Sequence, residues 1–164
     1  GTSEQRIPES ESPISVDYPG LDALKSFFGH GTMDDLYTWE RATWASFERR
    51  ISVMYATAKP WGGFNRTITL GQEIRGLKVF GEARRLSFQE SWRQPTRLGE
   101  AEAASFEAAY GNGRWQCAAL LVSKTQERLT AYVCETREEP LDRSTLQRLL
   151  SGTAIKDVAD TLAQ

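Results

Sequence analysis

The side chains whose types and spacing invite a chemical reading are Cys117, Cys134, His30, Asp34, Asp35 and Glu40. A nucleophilic thiolate–imidazole pair would need a free cysteine beside His30, the only histidine of the chain. A metal centre needs three or four ligands, so it too requires both thiols to be available. Acid–base chemistry would draw on the three carboxylates. Each group also has a plainer reading. His30 lies between Gly29 and Gly31, as in a turn. Asp34 and Asp35 follow Thr32, so they read as first-turn residues of a helix capped by that threonine. Glu40 falls on an apolar stripe between Leu36 and Trp44. Either the stripe is interrupted at the surface, or Glu40 meets a basic residue of the sheet.

The cysteines decide between these readings. Two apolar runs, Cys117–Val122 and Leu129–Cys134, flank the polar tetrapeptide Lys124-Thr125-Gln126-Glu127, the pattern of two strands around a turn. Folding the chain about the Thr125–Gln126 bond sets Val122 against Leu129, Leu120 against Ala131 and Ala118 against Val133, a wholly apolar face. The other face sets Leu121 against Thr130, Ala119 against Tyr132, and Cys117 against Cys134. Lys124 meets Glu127, a favourable cross-strand pair. Directly opposed residues are within disulfide reach. The alternative is two unrelated buried thiols. The expected disulfide closes a loop of about 16 residues, worth on the order of 3 kcal/mol in the chain-entropy model. It would remove both the nucleophile and the metal set, and it favours an oxidising compartment.

Other signals are weaker. Arg75, Lys78, Arg84, Arg85, Arg93 and Arg97 alternate with Phe80, Phe88 and Trp92. A single-strand nucleic-acid groove uses that pattern, and so does any half-buried strand set with a solvated face. The net charge of −2 opposes a nucleic-acid partner. Asn65-Arg66-Thr67 fits the N-glycosylation tripeptide. Neither Gly62-Gly63 nor Gly111-Asn112-Gly113 has phosphate-loop spacing, and no cofactor or metal fingerprint is present. Of the five tryptophans, most belong in a core. Trp61 and Phe64, on a glycine-broken loop, are the candidate partner-binding residues.

These groups must be held by a chain of 164 residues, 40% apolar and 26% charged, enough for one core. Residues 1–19, rich in Ser, Glu and Pro, read as a disordered leader or linker, such as separates a membrane anchor from a folded domain. Residues 20–164 read as a single α+β domain. Helical spacing is expected over 21–28 and from Met33 to about Met54, although the last part, residues 51–57, also reads as a strand. Strands are expected over 66–70, 75–81 and 84–92, with Pro95 ending the set. Alanine and glutamate predict a helix over 98–110. Two short helices follow Pro140, one over 144–150 and one after Thr153 carrying Ile155, Val158, Ala159 and Leu162. The expected architecture is an antiparallel sheet of about five strands with helices on one side.

The expected function is a non-catalytic extracytoplasmic domain, periplasmic or secreted and possibly membrane-tethered, that binds another protein. An envelope-assembly component and an inhibitor or immunity protein are its first versions. The alternative is a carrier holding a small apolar ligand between sheet and helices. An enzyme working through carboxylates alone is a third, less supported possibility.

Overall fold

The central hairpin folds in the register expected of it. β8 (Gly113–Ser123) and β9 (Glu127–Glu135) pair so that Cys117 faces Cys134, Ala119 faces Tyr132 and Val122 faces Leu129. Lys124 donates its backbone N–H to the Glu127 carbonyl at 2.7 Å and closes the turn. Cys117 and Cys134 are disulfide-bonded, with Cα atoms 4.1 Å apart.

The computed structural model describes residues 2–158 and 161–164. These form an eight-stranded antiparallel sheet and a small two-stranded one. In chain order the remaining strands are β1 (Thr2–Arg6), β2 (Ile14–Val16), β3 (Lys25–Met33), β4 (Tyr37–Ala45), β5 (Arg49–Ala58), β6 (Arg85–Thr96), β7 (Gly99–Tyr110) and β10 (Thr153–Ile155). The helices are α1 (Leu70–Gly76), α2 (Lys78–Gly81) and α3 (Arg143–Gly152). The large sheet runs β1-β3-β4-β5-β9-β8-β7-β6, and β10 pairs with β2.

The expected α+β fold with five strands and helices on one side is therefore wrong. The chain is mostly β, and its helices lie on both faces. α1 and α2 cover one face at β7, β8 and β9, where Phe80, Phe106, Ile74 and Tyr132 pack around the disulfide. α3 and the β2–β10 pair cover the other, with Leu146, Leu149 and Leu150 against Leu120, Leu129 and Val133. Each such side chain, once fully buried, is worth about 1.5–3 kcal/mol. An exposed ion pair such as Arg143–Glu90 adds at most about 1 kcal/mol. Burial on the two faces, not surface charge, sets the architecture.

Several elements differ from expectation for definable reasons. The helices expected over 21–28 and 33–54 are β3, β4 and β5, with only a single turn of 3-10 helix at Leu21–Ala23. Asp34 and Asp35 are not helix-cap residues. They form the tight turn between β3 and β4, both at positive φ (54° and 57°), a conformation that aspartate tolerates in hairpin turns. Gly29-His30-Gly31 lies within β3. Gly31 is needed there because a Cβ at this position would run into the Trp39 indole lying across it from β4.

The strands expected over 66–70 and 75–81 are an irregular segment followed by α1 and α2. Thr69 and Gln72 form a reciprocal capping box that starts α1. The strand over 84–92 is present as β6 and runs on to Thr96. Pro95 sits within it without harm because β6 is a sheet edge. The alanine-rich helix expected over 98–110 is β7. Its small residues alternate between faces, Ala101 and Ala103 in one core and Ala104 and Ala108 in the other. Pairing with β6 and β8 outweighs helix propensity there.

The helix over 144–150 is α3, capped by Asp142, whose Oδ1 accepts from the Ser144 N–H at 2.9 Å. The one expected after Thr153 is instead β10 and an irregular tail holding Val158 and Leu162. Ala159 lies outside the described residues. The segment 1–19, expected to be disordered, carries β1 on the sheet edge and β2 beneath α3. Full apolar burial there is limited to Ile14 and Tyr18, with Ile7 and Val16 partly buried, which is why the composition hides it.

The Gly31–Trp39 contact gives a direct test. Gly31→Val should lower stability by about 1–3 kcal/mol through overpacking, read as a fall in the urea midpoint. Gly76→Ala, where an added Cβ meets nothing within 4 Å, should leave the midpoint unchanged or slightly raised. An unchanged midpoint for Gly31→Val would refute the stacking.

Candidate functional site

The two faces of the sheet are unequally covered. On β8 both faces are apolar, and both are buried. On β4 the side chains alternate between Ala42 and Trp44, buried under the N-terminal segment, and Tyr37, Trp39, Arg41 and Thr43 on the opposite face. Over β1, β3, β4 and β5 that opposite face is flanked by α1, α2 and the 61–68 loop; Thr43, Ser52 and Ala56 are buried there, and its other side chains from Tyr37 to Ala45 are partly exposed among the described residues. This face holds two adjoining depressions that share Arg41.

The first is an aromatic cleft of about 400 Å³, walled by Tyr37, Trp39, Phe64 and both methionines of the chain, Met33 and Met54. Its loop wall is fixed in place. Tyr37 donates its hydroxyl to the Gly63 carbonyl at 2.8 Å, and its ring lies 5.1 Å from that of Phe64. The Phe64 N–H donates to the Thr125 carbonyl at 2.9 Å. The Arg128 guanidinium sits 4.8 Å over the Phe64 ring and donates to the Asn65 carbonyl. Phe64 is thus folded back and half-buried. Trp61 projects from the same loop with 72% of its surface exposed. The Asn65 side chain is occupied locally, accepting from the Thr67 N–H and hydroxyl.

The second depression is a trough of about 960 Å³ between the sheet and the α1–α2 junction. Arg6, Lys25, Arg41, Arg50 and Lys78 line it against one carboxylate, Glu4. Arg41 pairs with Glu4 at 3.0 Å. Arg50 donates to the Tyr132 hydroxyl at 2.9 Å, and Arg6 lies 5.5 Å over the Phe27 ring. Lys25 and Lys78 are exposed and have no ion-pair partner among the described residues. Phe47, at the tip of the β4–β5 turn, borders the trough and is 99% exposed.

On the other face, His30 Nδ1 meets Glu40 Oε1 at 2.5 Å, so Glu40 does meet a basic residue of the sheet, the histidine opposite it on β3. Beside them Tyr55 donates to Glu127 Oε2 at 2.7 Å. A carboxylate-oriented imidazole is a general-base arrangement. Neither His30 nor Glu40 lines the trough or the cleft, and both cysteines are bonded, so no thiolate stands ready for it. Among the described residues no cluster has the makings of a metal site.

Trp61 and Phe64, singled out from the sequence, lie on the loop beside this cleft, whereas Tyr37, Trp39, Arg41 and Arg50 carry no such signal. What marks the first three is the two-residue alternation over 37–45. The basic run 75–97 is dispersed: Arg75 lies over Phe88 at 5.3 Å, Arg93 lines a separate cleft, and Lys78 alone reaches the trough.

Comparison with models of known protein families, with curated proteins and with solved structures finds no match to this chain. The disulfide points to an oxidising, extracytoplasmic compartment. No helix among the described residues is long and apolar enough to cross a membrane.

Three phenols carry a pH signature. Burial raises the pKa of Tyr55 above its ordinary 10.0, and the bond to Glu127 raises it further. Burial likewise raises Tyr18 and Tyr110, helped by Glu135 for the first and by Tyr132 and Glu82 for the second. A folded-state pKa above the unfolded one favours the neutral phenol in the fold. That stabilisation is complete below pH 10 and is lost as pH rises through the raised values. The unfolding free energy should therefore fall above about pH 10, and Tyr55→Phe should flatten the fall. Identical alkaline limbs for the variant and the parent would contradict the assignment.

Proposed function

We propose that the chain is a non-catalytic domain that binds another protein through the open half of its sheet. The carrying observation is that, among the described residues, half of one sheet face is only partly covered, forming a single surface from the Phe64 cleft to the Lys78 end of the trough. Antiparallel sheets tolerate a solvated face, but a solvated face is ordinarily polar. This one holds Tyr37, Trp39, Phe64, Phe27 and two methionines. Aromatics, methionine and arginine are the types enriched at protein interfaces, and methionine adapts to irregular partners. Trp61 and Phe47, the two most exposed of the three exposed large aromatics (Phe88 is the third), stand at opposite ends of β4 and bracket the surface.

A periplasmic or secreted setting, with a tether preceding residue 1, agrees with the disulfide and with the exposed N-terminal edge strand. An envelope-assembly component and an inhibitor or immunity protein both suit such a domain. A carrier of small apolar ligands would call for an enclosed apolar cavity, whereas the cleft and trough open to solvent along their length.

The test is site-specific photo-crosslinking in the native envelope or secreted fraction. A crosslinking side chain at position 47 or 61 should give a discrete adduct with one protein, and the same group at Glu9, exposed on the opposite face beside Phe28 and Trp44, should not. Met54→Arg, in the floor of the cleft, should abolish the adduct while the protein stays folded. Equal, diffuse labelling from all three positions, or none, would refute the proposal.

A further inference from the structure

We infer that the occupant of this face is an acidic segment of a partner protein, which seats one large apolar side chain in the Tyr37–Trp39–Phe64 cleft and lays its carboxylates along the trough. The inference rests on the docking role proposed above and specifies the chemistry of the partner.

Charge comes first. The chain carries a net charge of −2, yet the cleft and trough together present Arg6, Lys25, Arg41, Arg50, Lys78 and Arg128 against only Glu4 and Glu73. The local sign is inverted relative to the whole molecule. Neighbouring cations repel one another, and most of these lack a carboxylate. Arg50 spends its Nε–H on a neutral phenol, Arg6 lies on a phenyl ring, and Lys25 and Lys78 have no ion-pair partner among the described residues. A concave site lined by one sign of charge focuses its field on an oppositely charged ligand. Guanidinium groups can hold carboxylates through paired hydrogen bonds.

The shape selects among anionic partners. The cations line a recess between β3–β4–β5 and the α1–α2 junction, which the plane of a bilayer cannot enter. A nucleic acid brings a phosphate at every nucleotide and needs a cationic surface well beyond one trough, which a net-negative chain lacks. A polypeptide can combine sparse carboxylates with one apolar anchor, and the aromatic cleft at the trough's end suits such an anchor. Spacing follows from the strands. Trp39 and Ala45, the latter opposite Arg50, are six residues apart on β4, or about 20 Å at ~3.4 Å per residue. An extended segment would place its anchor roughly six residues from the carboxylate that meets Arg50.

The test uses a fluorescent peptide with Phe at one end followed by alternating Ser and Glu. Comparators replace Glu by Lys, or Phe by Ser. Phosphatidylglycerol vesicles and a single-stranded oligothymidylate are the other probes. The Phe/Glu peptide should bind in a salt-sensitive manner and shift the Trp39 indole resonance. Affinity should fall about tenfold or more in Lys25→Glu/Lys78→Glu, whose side chains are exposed and unpaired and so leave the fold intact. Equal binding of the Lys peptide or of the peptide lacking Phe would overturn the inference. So would binding of vesicles or oligothymidylate alone, or of no probe. If no probe binds while the crosslinked adduct at position 61 persists, the docking face stands and its acidic occupant is refuted. If the adduct is also absent, both fall.

Discussion

The pairing of Cys117 with Cys134 across β8 and β9 is the constraint on which the rest of the molecule depends. Side chains alternate strictly along a strand, so a one-residue slip would carry every apolar residue of one strand to the wrong face. In the observed register Leu120, Leu129 and Val133 enter one core, while Ala119, Leu121, Tyr132 and the disulfide enter the other. Both faces of the hairpin therefore demand cover. α3 with the β2–β10 pair answers one demand, and α1 with α2 answers the other.

The open surface is a consequence of the same rule applied to different strands. β4 and β5 are apolar on one side only: Ala42 and Trp44, Ile51 and Val53. Their other side alternates Arg41, Thr43, Arg50 and Ser52 with Trp39 and Met54, so burying it would strand charges that lack enough partners. The layer over this face ends where the apolar pattern ends. Thr43 and Ser52 bond to each other at 3.1 Å beneath the trough, and the glycines at 29 and 31 lower the floor of β3 so that Glu4 and the Trp39 ring can lie across it. A rigid, paired sheet thus displays a concave surface of mixed aromatic and cationic character, held in place by burial elsewhere.

What could be read from the sequence was what neighbouring residues decide between themselves. The β8–β9 hairpin was legible because its turn and both of its strands lie within one short stretch. α3 was legible from its amphipathic spacing. β7 was not, because alanine and glutamate favour a helix in isolation and only β6 and β8 on either side draw them into a sheet. Leu21, Leu24, Phe27 and Phe28 fall at helical spacing by coincidence, with Leu21 in a 3-10 turn and Phe27 and Phe28 on opposite faces of β3. Asp34-Asp35 can cap a helix or make a tight turn, and the wrong choice there concealed β3, β4 and β5 together. The open face divides the same way: Trp61 and Phe64 stand out by the glycines beside them, while Trp39, Arg41 and Arg50 gain meaning only from strands whose sequence has helical spacing.

The most direct measurement is a thiol count on the denatured chain before and after reduction, joined to peptide mapping without reductant. The structure requires no reactive thiol before reduction, two after it, and a single linked pair of peptides containing Cys117 and Cys134. Two reactive thiols in the unreduced chain would contradict the account, removing the covalent link across the hairpin and the basis for an oxidising compartment.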